Sequence, residues 1–225
     1  MSALPKPKLG SRGKPEQTRA AILRAAIEEF SKQGISGART DAIADAARVN
    51  KALLYYYYKD KETLYGAALD QVFSQLSSGM LEILARDLPP REKIRTYVGA
   101  YFDFIASHAD YRGLVQREMM RSGHGSPHLQ RMAKRYFQPL FMKLGEVIRA
   151  GISGGEFRPV DPLHFVPSII ALVVFYFTSA PIIKVVGGFD PLSPDRVAER
   201  RAAVLDFISA ALFKQPDGNQ HGGIQ

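Results

Sequence analysis

Between Arg39 and Lys61 the chain crowds cations and hydroxyls: Arg39, Thr40, Arg48, Asn50, Lys51, the consecutive tyrosines Tyr55 to Tyr58, and Lys61. Such groups donate hydrogen bonds and carry positive charge, so together they suit a polyanion, gripping phosphate oxygens and reaching base edges. Covalent chemistry finds no comparable constellation. There is no cysteine, and no P-loop or dinucleotide fingerprint. His124 and His128 flank Gly125-Ser126-Pro127 instead of sharing a helical turn, and no convincing third ligand is near them. The expectation is a protein without metal or cofactor, and not an enzyme.

These side chains need short, rigid elements to aim them. Ile43, Ala46 and Ala47 recur at helical spacing behind Thr40, placed as an N-cap; Leu53, Leu54 and Tyr58 do so behind Asn50. Ala47-Arg48-Val49-Asn50 makes a tight junction between them. Helices this short are marginal alone and must share a core, which is the anatomy of a helix-turn-helix. A preceding helix opens at Pro15, carries the stripe Ile22, Ala26 and Phe30, and ends at Gly34. Asp60 caps a following helix bearing Leu64, Ala67, Ala68, Val72 and Leu76.

Further helices follow Pro89-Pro90 and Asp110, the latter running to a break at Ser122–Gly125. Three more are announced by Ser126-Pro127, Asp161-Pro162 and Ser193-Pro194, each a capping oxygen before proline. Pro139 should kink its helix. Period-2 strand patterns are absent, so the chain reads as all-α. The organisation expected is a flexible basic arm over 1–14, a helix-turn-helix domain over 15–60, a helical ligand-binding and dimerisation domain over 61–215, and a flexible tail over 216–225.

The charge agrees with that division. The net charge is +8 over 225 residues; residues 1–65 hold twelve Lys and Arg against seven Asp and Glu, residues 66–225 eighteen against fifteen. Met1–Gly13 has no continuous apolar core, so no secretory signal is read there and a cytoplasmic protein is expected. Val166–Val186 is apolar enough to raise a membrane span. Pro167 and Pro181 interrupt it and Lys184 lies near its end, so it reads instead as a helix buried between the core and a partner subunit.

Thr40, Ala42-Ile43-Ala44, Ala46-Ala47, Val49, Leu54-Tyr55, Tyr58, Lys61-Glu62 and Leu64 stand at fixed offsets. On these residues the chain resembles the TetR family of ligand-responsive transcriptional repressors, over roughly residues 15–65. The resemblance implies that the second short helix enters the major groove and that Thr40, at a helix N-terminus, meets a phosphate. Lys51 would open the recognition helix, Tyr55 and Tyr56 match the family's tyrosine pair, and Tyr57 occupies a common histidine position on the exposed face. Lys61 matches a backbone-anchoring lysine, and Tyr58 replaces a core phenylalanine. Two residues depart from the pattern. Arg48 stands where a turn glycine is usual, and Ala52 where a glycine or a polar base-reader is frequent.

By the same resemblance, a homodimer forms through the last two long helices, binds a pseudo-palindromic double-stranded DNA operator, and is released by a small, largely apolar effector. Tyr101, Phe104, His108, Arg117, Met120, Phe137, Phe141 and Tyr176 are the candidate lining of an effector pocket. The competing readings are an architectural or non-specific DNA binder without an effector, and a helical enzyme of unknown class.

Overall fold

The computed structural model describes residues 15–121 and 126–215, without the side chains of Met119 and Met120. The basic arm, the C-terminal tail, the Ser122–Gly125 break, His124 and the nominated Met120 side chain therefore lie outside the described residues.

Local chemistry sets most helix starts. Helix α1 spans Pro15–Gly37, α2 Thr40–Ala46 and α3 Lys51–Tyr57. The Asn50 side chain accepts from the Leu53 amide at 2.7 Å and so caps α3. Helix α4, Lys61–Ala85, opens with Asp60 accepting from the Thr63 amide at 2.7 Å, a bond that holds the Asp60 carboxyl below the usual range. Thr40 does not cap α2. It is the first helical residue; the extended Arg39 occupies the cap, and the Arg39 amide donates to Glu29 Oε1 of α1 at 3.1 Å. Within α1, Gly34 turns to φ 65°, ending the regular helix there and leaving one further turn before α2.

The remaining helices are α5 (Pro90–Ser107), α6 (Ala109–Arg121), α7 (Pro127–Met132), α8 (Gln138–Ser153), α9 (Pro162–Thr178), α10 (Ala180–Gly187) and α11 (Pro194–Leu212). Helices α7 and α8 are joined without a gap by a π-turn, Ala133–Phe137. Pro139 sits at the start of α8, directly after that turn. A proline cannot donate to the carbonyl four residues back, and the wider turn ahead of it lets the helical path continue. Asp161 caps α9 through the Leu163 amide, whereas Ser126 and Ser193 occupy cap positions without a side-chain bond to their helices, the Ser126 hydroxyl donating instead to Glu118.

The apolar run Val166–Val186 is not one helix. Pro167 is accommodated inside α9, but the chain breaks at Ser179, ahead of Pro181, and α10 bends away by 65°. No single described helix is long and apolar enough to cross a membrane. Nor is the run uniformly buried, since Phe175, Ile182, Val185 and Val186 are strongly exposed.

One hydrophobic core runs from Ile22 of α1 to Phe213, past the end of α11. Phe30 of α1 meets Tyr65 of α4 edge to face, with ring centroids 5.0 Å apart. Arg201 of α11 pairs with Asp103 of α5 through two bonds of 2.7 and 2.9 Å. An isolated antiparallel bridge, Phe157 to Phe213, ties the chain leaving α8 to the end of α11. No strand forms among the described residues.

Candidate nucleic-acid interface and internal cavity

Helix α3 packs on α2 and buries Leu54 and, at its end, Tyr58, whose ring lies under Arg19 of α1. That fixes which tyrosines face outward: Tyr56 is 80% exposed and Tyr55 39%. Tyr57 does not join them. It is half-buried against the core and meets Tyr56 edge to face at 5.3 Å, because a residue three after Leu54 returns to the packed side of the helix. Asn50, Lys51 and Ala52 are exposed along the first turn of α3.

The Tyr55 hydroxyl lies 3.3 Å from Thr40 Oγ1, so the outer face of α3 meets the first turn of α2. Lys61 reaches back towards the Ser36 carbonyl at 3.5 Å, in the last turn of α1, and Arg39, between α1 and α2, is exposed. Thr40 and Tyr55 thus meet although fifteen positions separate them, and Lys61 lies against the chain that leads into α2. One partner is absent from the sequence reading: Asp41 holds Lys51 at 2.8 Å. The hydrogen bond between them raises the Lys51 pKa and lowers that of Asp41. The signal was available as an acid in the first turn of α2, but nothing local shows it reaching α3.

At the junction, Arg48 adopts φ 55°, alone in this region among the described non-glycine residues. Its amide donates to the Asp45 carbonyl and the Val49 amide to Ala44, so the turn closes in the glycine-type geometry despite the side chain. Arg48 itself is exposed.

The second feature is a cavity of about 450 Å³ in the C-terminal half. Leu76 of α4, Tyr97 and Tyr101 of α5, and Tyr111 and Val115 of α6 form one side. Ala133 and Phe137 of the π-turn, Gln138, Leu140 and Phe141 of α8, and Val166, Ile170 and Val174 of α9 form the other. Of the eight nominated side chains, Tyr101, Phe137 and Phe141 line it. Phe104 packs beside it on Tyr111, and His108 caps α5, its Nδ1 2.8 Å from the Phe104 carbonyl oxygen. The Tyr176 hydroxyl donates to the Pro191 carbonyl at 2.7 Å, away from the lining. Tyr97 was missed, although its four-residue spacing from Tyr101 puts the two on one helix face.

Arg117 is elsewhere for a more informative reason. Its Nε donates to the Ser31 carbonyl at 2.9 Å and its Nη2 to that of Lys32, so it crosses from α6 to the end of the regular part of α1. Ser31 Oγ also donates to Asp110 Oδ1 at 3.0 Å. At Gly113 a Cβ would stand 2.7 Å from the Ser31 carbonyl oxygen, so the helices touch backbone to backbone. Towards α4, the buried Glu118 accepts from the Tyr65 hydroxyl at 2.8 Å, and Arg121 approaches Glu62 at 3.6 Å. Helix α6 therefore has one face in the cavity, one on α1 and one on α4.

A two-helix unit with exposed hydroxyls and cations, carried on a helical domain with an internal cavity, defines the class of helix-turn-helix transcriptional regulators. The comparisons with known proteins agree. Residues 22–68 match the family described as bacterial regulatory proteins, tetR family, and residues 90–208 match the tetracyclin repressor-like C-terminal domain. The chain belongs to the TetR family. It is 30% identical over 168 residues to the HTH-type transcriptional regulator RutR of Escherichia coli K12, covering 75% of this chain and 77% of that one. It is also 30% identical over 178 residues to the HTH-type transcriptional repressor SCO4008 of Streptomyces coelicolor, covering 78% and 87%. Among solved structures, the transcriptional regulator SCO4942 from Streptomyces coelicolor superposes with a TM-score of 0.66 at 28% identity, covering 88% of this chain and 99% of that one.

Proposed function

We propose that this regulator acts in the cytoplasm as a repressor, binding a pseudo-palindromic operator as a homodimer and leaving it when a small, largely apolar effector fills the cavity. The observation that carries the reading is the placement of α6: Tyr111 and Val115 form cavity wall, while Asp110, Gly113 and Arg117 hold α1 of the DNA-binding unit. An occupant that displaces α6 has differential affinity for two arrangements of α1, as ligand-driven release requires. Exposed Leu163, Ile170 and Phe175 on α9 and Phe207 on α11 support pairing through these two helices. Two recognition helices related by a two-fold axis then meet successive major grooves.

Thr40, Tyr55 and Lys61 are assigned to phosphates, with Arg39, Arg48 and Tyr56 flanking them. Asn50, Lys51, Ala52 and Tyr57 form the rest of the α3 contact surface, Tyr57 through its exposed edge. The test begins with selection of genomic fragments bound at physiological salt, followed by gel shift against competitor DNA. The wild type should prefer the selected fragments, and Tyr55→Phe combined with Lys61→Ala should weaken that binding while gel filtration still shows a dimer. Equal affinity for competitor DNA would instead mark a non-specific DNA binder, and undiminished binding by the double variant would remove these contacts from the site.

A further inference from the structure

The cavity has a chemical signature that narrows what it accepts. Tyr97, Tyr101 and Tyr111 are 3, 5 and 4% exposed, and all three line it. None of their hydroxyls has a hydrogen-bond partner among the described residues, whereas those of Tyr65, Tyr136 and Tyr176 each find an acceptor. The three differ from the Tyr58 hydroxyl, which is sealed without a partner among the described residues: their oxygens keep accessible surface, and the space their side chains line is the cavity. Three unpaired donors around a single space are therefore groups kept for an occupant. Tyr97 and Tyr101 stack with centroids 6.1 Å apart, on adjacent turns of α5, and Tyr111 comes from α6 opposite Phe73 of α4. Burial drives the phenol pKa values upward, so all three carry their protons near neutral pH and act as donors.

The rest of the wall decides the charge of the guest. Gln138 is the other polar side chain in it, and no Asp, Glu, Lys, Arg or His lines it among the described residues. A carboxylate or phosphate would be desolvated there without a cation. An ammonium group would meet aromatic ring faces but no carboxylate, and the phenol protons would have to turn away from it. Aliphatic and phenyl groups from α4, α8 and α9 make up the remaining surface.

We propose that the cavity takes a neutral, largely apolar molecule bearing a hydrogen-bond acceptor of the carbonyl type, a ketone, ester or amide, whose oxygen lies on the hydroxyls of Tyr97, Tyr101 and Tyr111. This rests on the reading of the cavity as the effector site and adds the recognition chemistry.

The full-length protein, without DNA, is titrated with 6-propionyl-2-dimethylaminonaphthalene, a neutral fluorescent ketone, which is then displaced by a size-matched series. 2-Acetylnaphthalene should compete at least about tenfold better than 2-ethylnaphthalene, 2-naphthoate or (2-naphthylmethyl)trimethylammonium. Each of Tyr97→Phe, Tyr101→Phe and Tyr111→Phe should narrow the preference over 2-ethylnaphthalene, by about 3- to 10-fold for a hydroxyl that meets the oxygen. Affinity for 2-ethylnaphthalene should hold and the melting temperature should not fall, since no folded-state bond is lost. Equal competition by naphthoate or by the quaternary ammonium overturns the proposal on the wild type alone, as does an undiminished preference in all three variants. If the dye does not bind at all, the effector-site reading itself fails, an outcome distinct from binding without selectivity.

Discussion

At Arg48 a side chain occupies a left-handed backbone position that costs a non-glycine residue about 1–2 kcal/mol. Arg48→Gly should therefore raise stability by up to about 1 kcal/mol in urea unfolding, part of the relief being offset by glycine's freedom in the unfolded chain. If the guanidinium meets a phosphate, the same variant binds DNA more weakly, with a salt slope lower by about one unit. A second residue also sits at a local disadvantage. The hydroxyl of Tyr58 is buried without a partner among the described residues, at the position where the family pattern has phenylalanine. Tyr58→Phe should stabilise by about 1 kcal/mol, whereas Tyr65→Phe, which leaves the buried Glu118 with Ser126 and Arg121 but one hydrogen bond poorer, should cost about 1–3 kcal/mol. Equal urea midpoints for the two variants would show that hydroxyl pairing does not separate them.

Among the elements, α6 is the one whose position depends on contact distance more than on any single bond. Gly113→Ala would set a methyl 2.7 Å from a backbone oxygen of α1, so the helices must part, at a cost of about 1–3 kcal/mol. Gly79→Ala, inside α4 with open space around it, should instead gain about 0.5–1 kcal/mol. Chemical denaturation of the two variants compares them directly. Neither glycine's role was legible in the sequence, because the neighbour that distinguishes them belongs to another helix. What could be read was what a helix writes into its own residues: the Asn50 and Asp60 caps, the stop at Gly34, and the stripe Ile22, Ala26 and Phe30. The break at Ser179 and the π-turn before Pro139 escaped, since a proline in the sequence leaves open whether the chain bends, widens or continues. Pro167, Pro139 and Pro181 show all three outcomes. The sequence alone offers Arg117 as a pocket anchor, because its place among the three arginines of α6 does not reveal which face it shares with α1.

Across the whole molecule, the division near residue 60 separates tasks and not cores. Phe30 and Tyr65 pack across it, and the buried cluster continues unbroken to Phe213. Heat or urea should accordingly unfold the chain in one transition, with tyrosine fluorescence and far-ultraviolet circular dichroism tracing the same curve. A fragment of residues 15–60 should be unfolded at the same temperature, because it loses the α4 and α6 surfaces that cover α1; a folded fragment would contradict this. The shared core also shapes the genetics of the protein. A substitution at Leu144 or Phe102, far from the recognition helix, lowers the amount of folded α3 as surely as one at Leu54. A screen for mutants that no longer bind DNA would then return positions along the whole chain. Only those that keep the melting temperature would mark the surface that touches DNA.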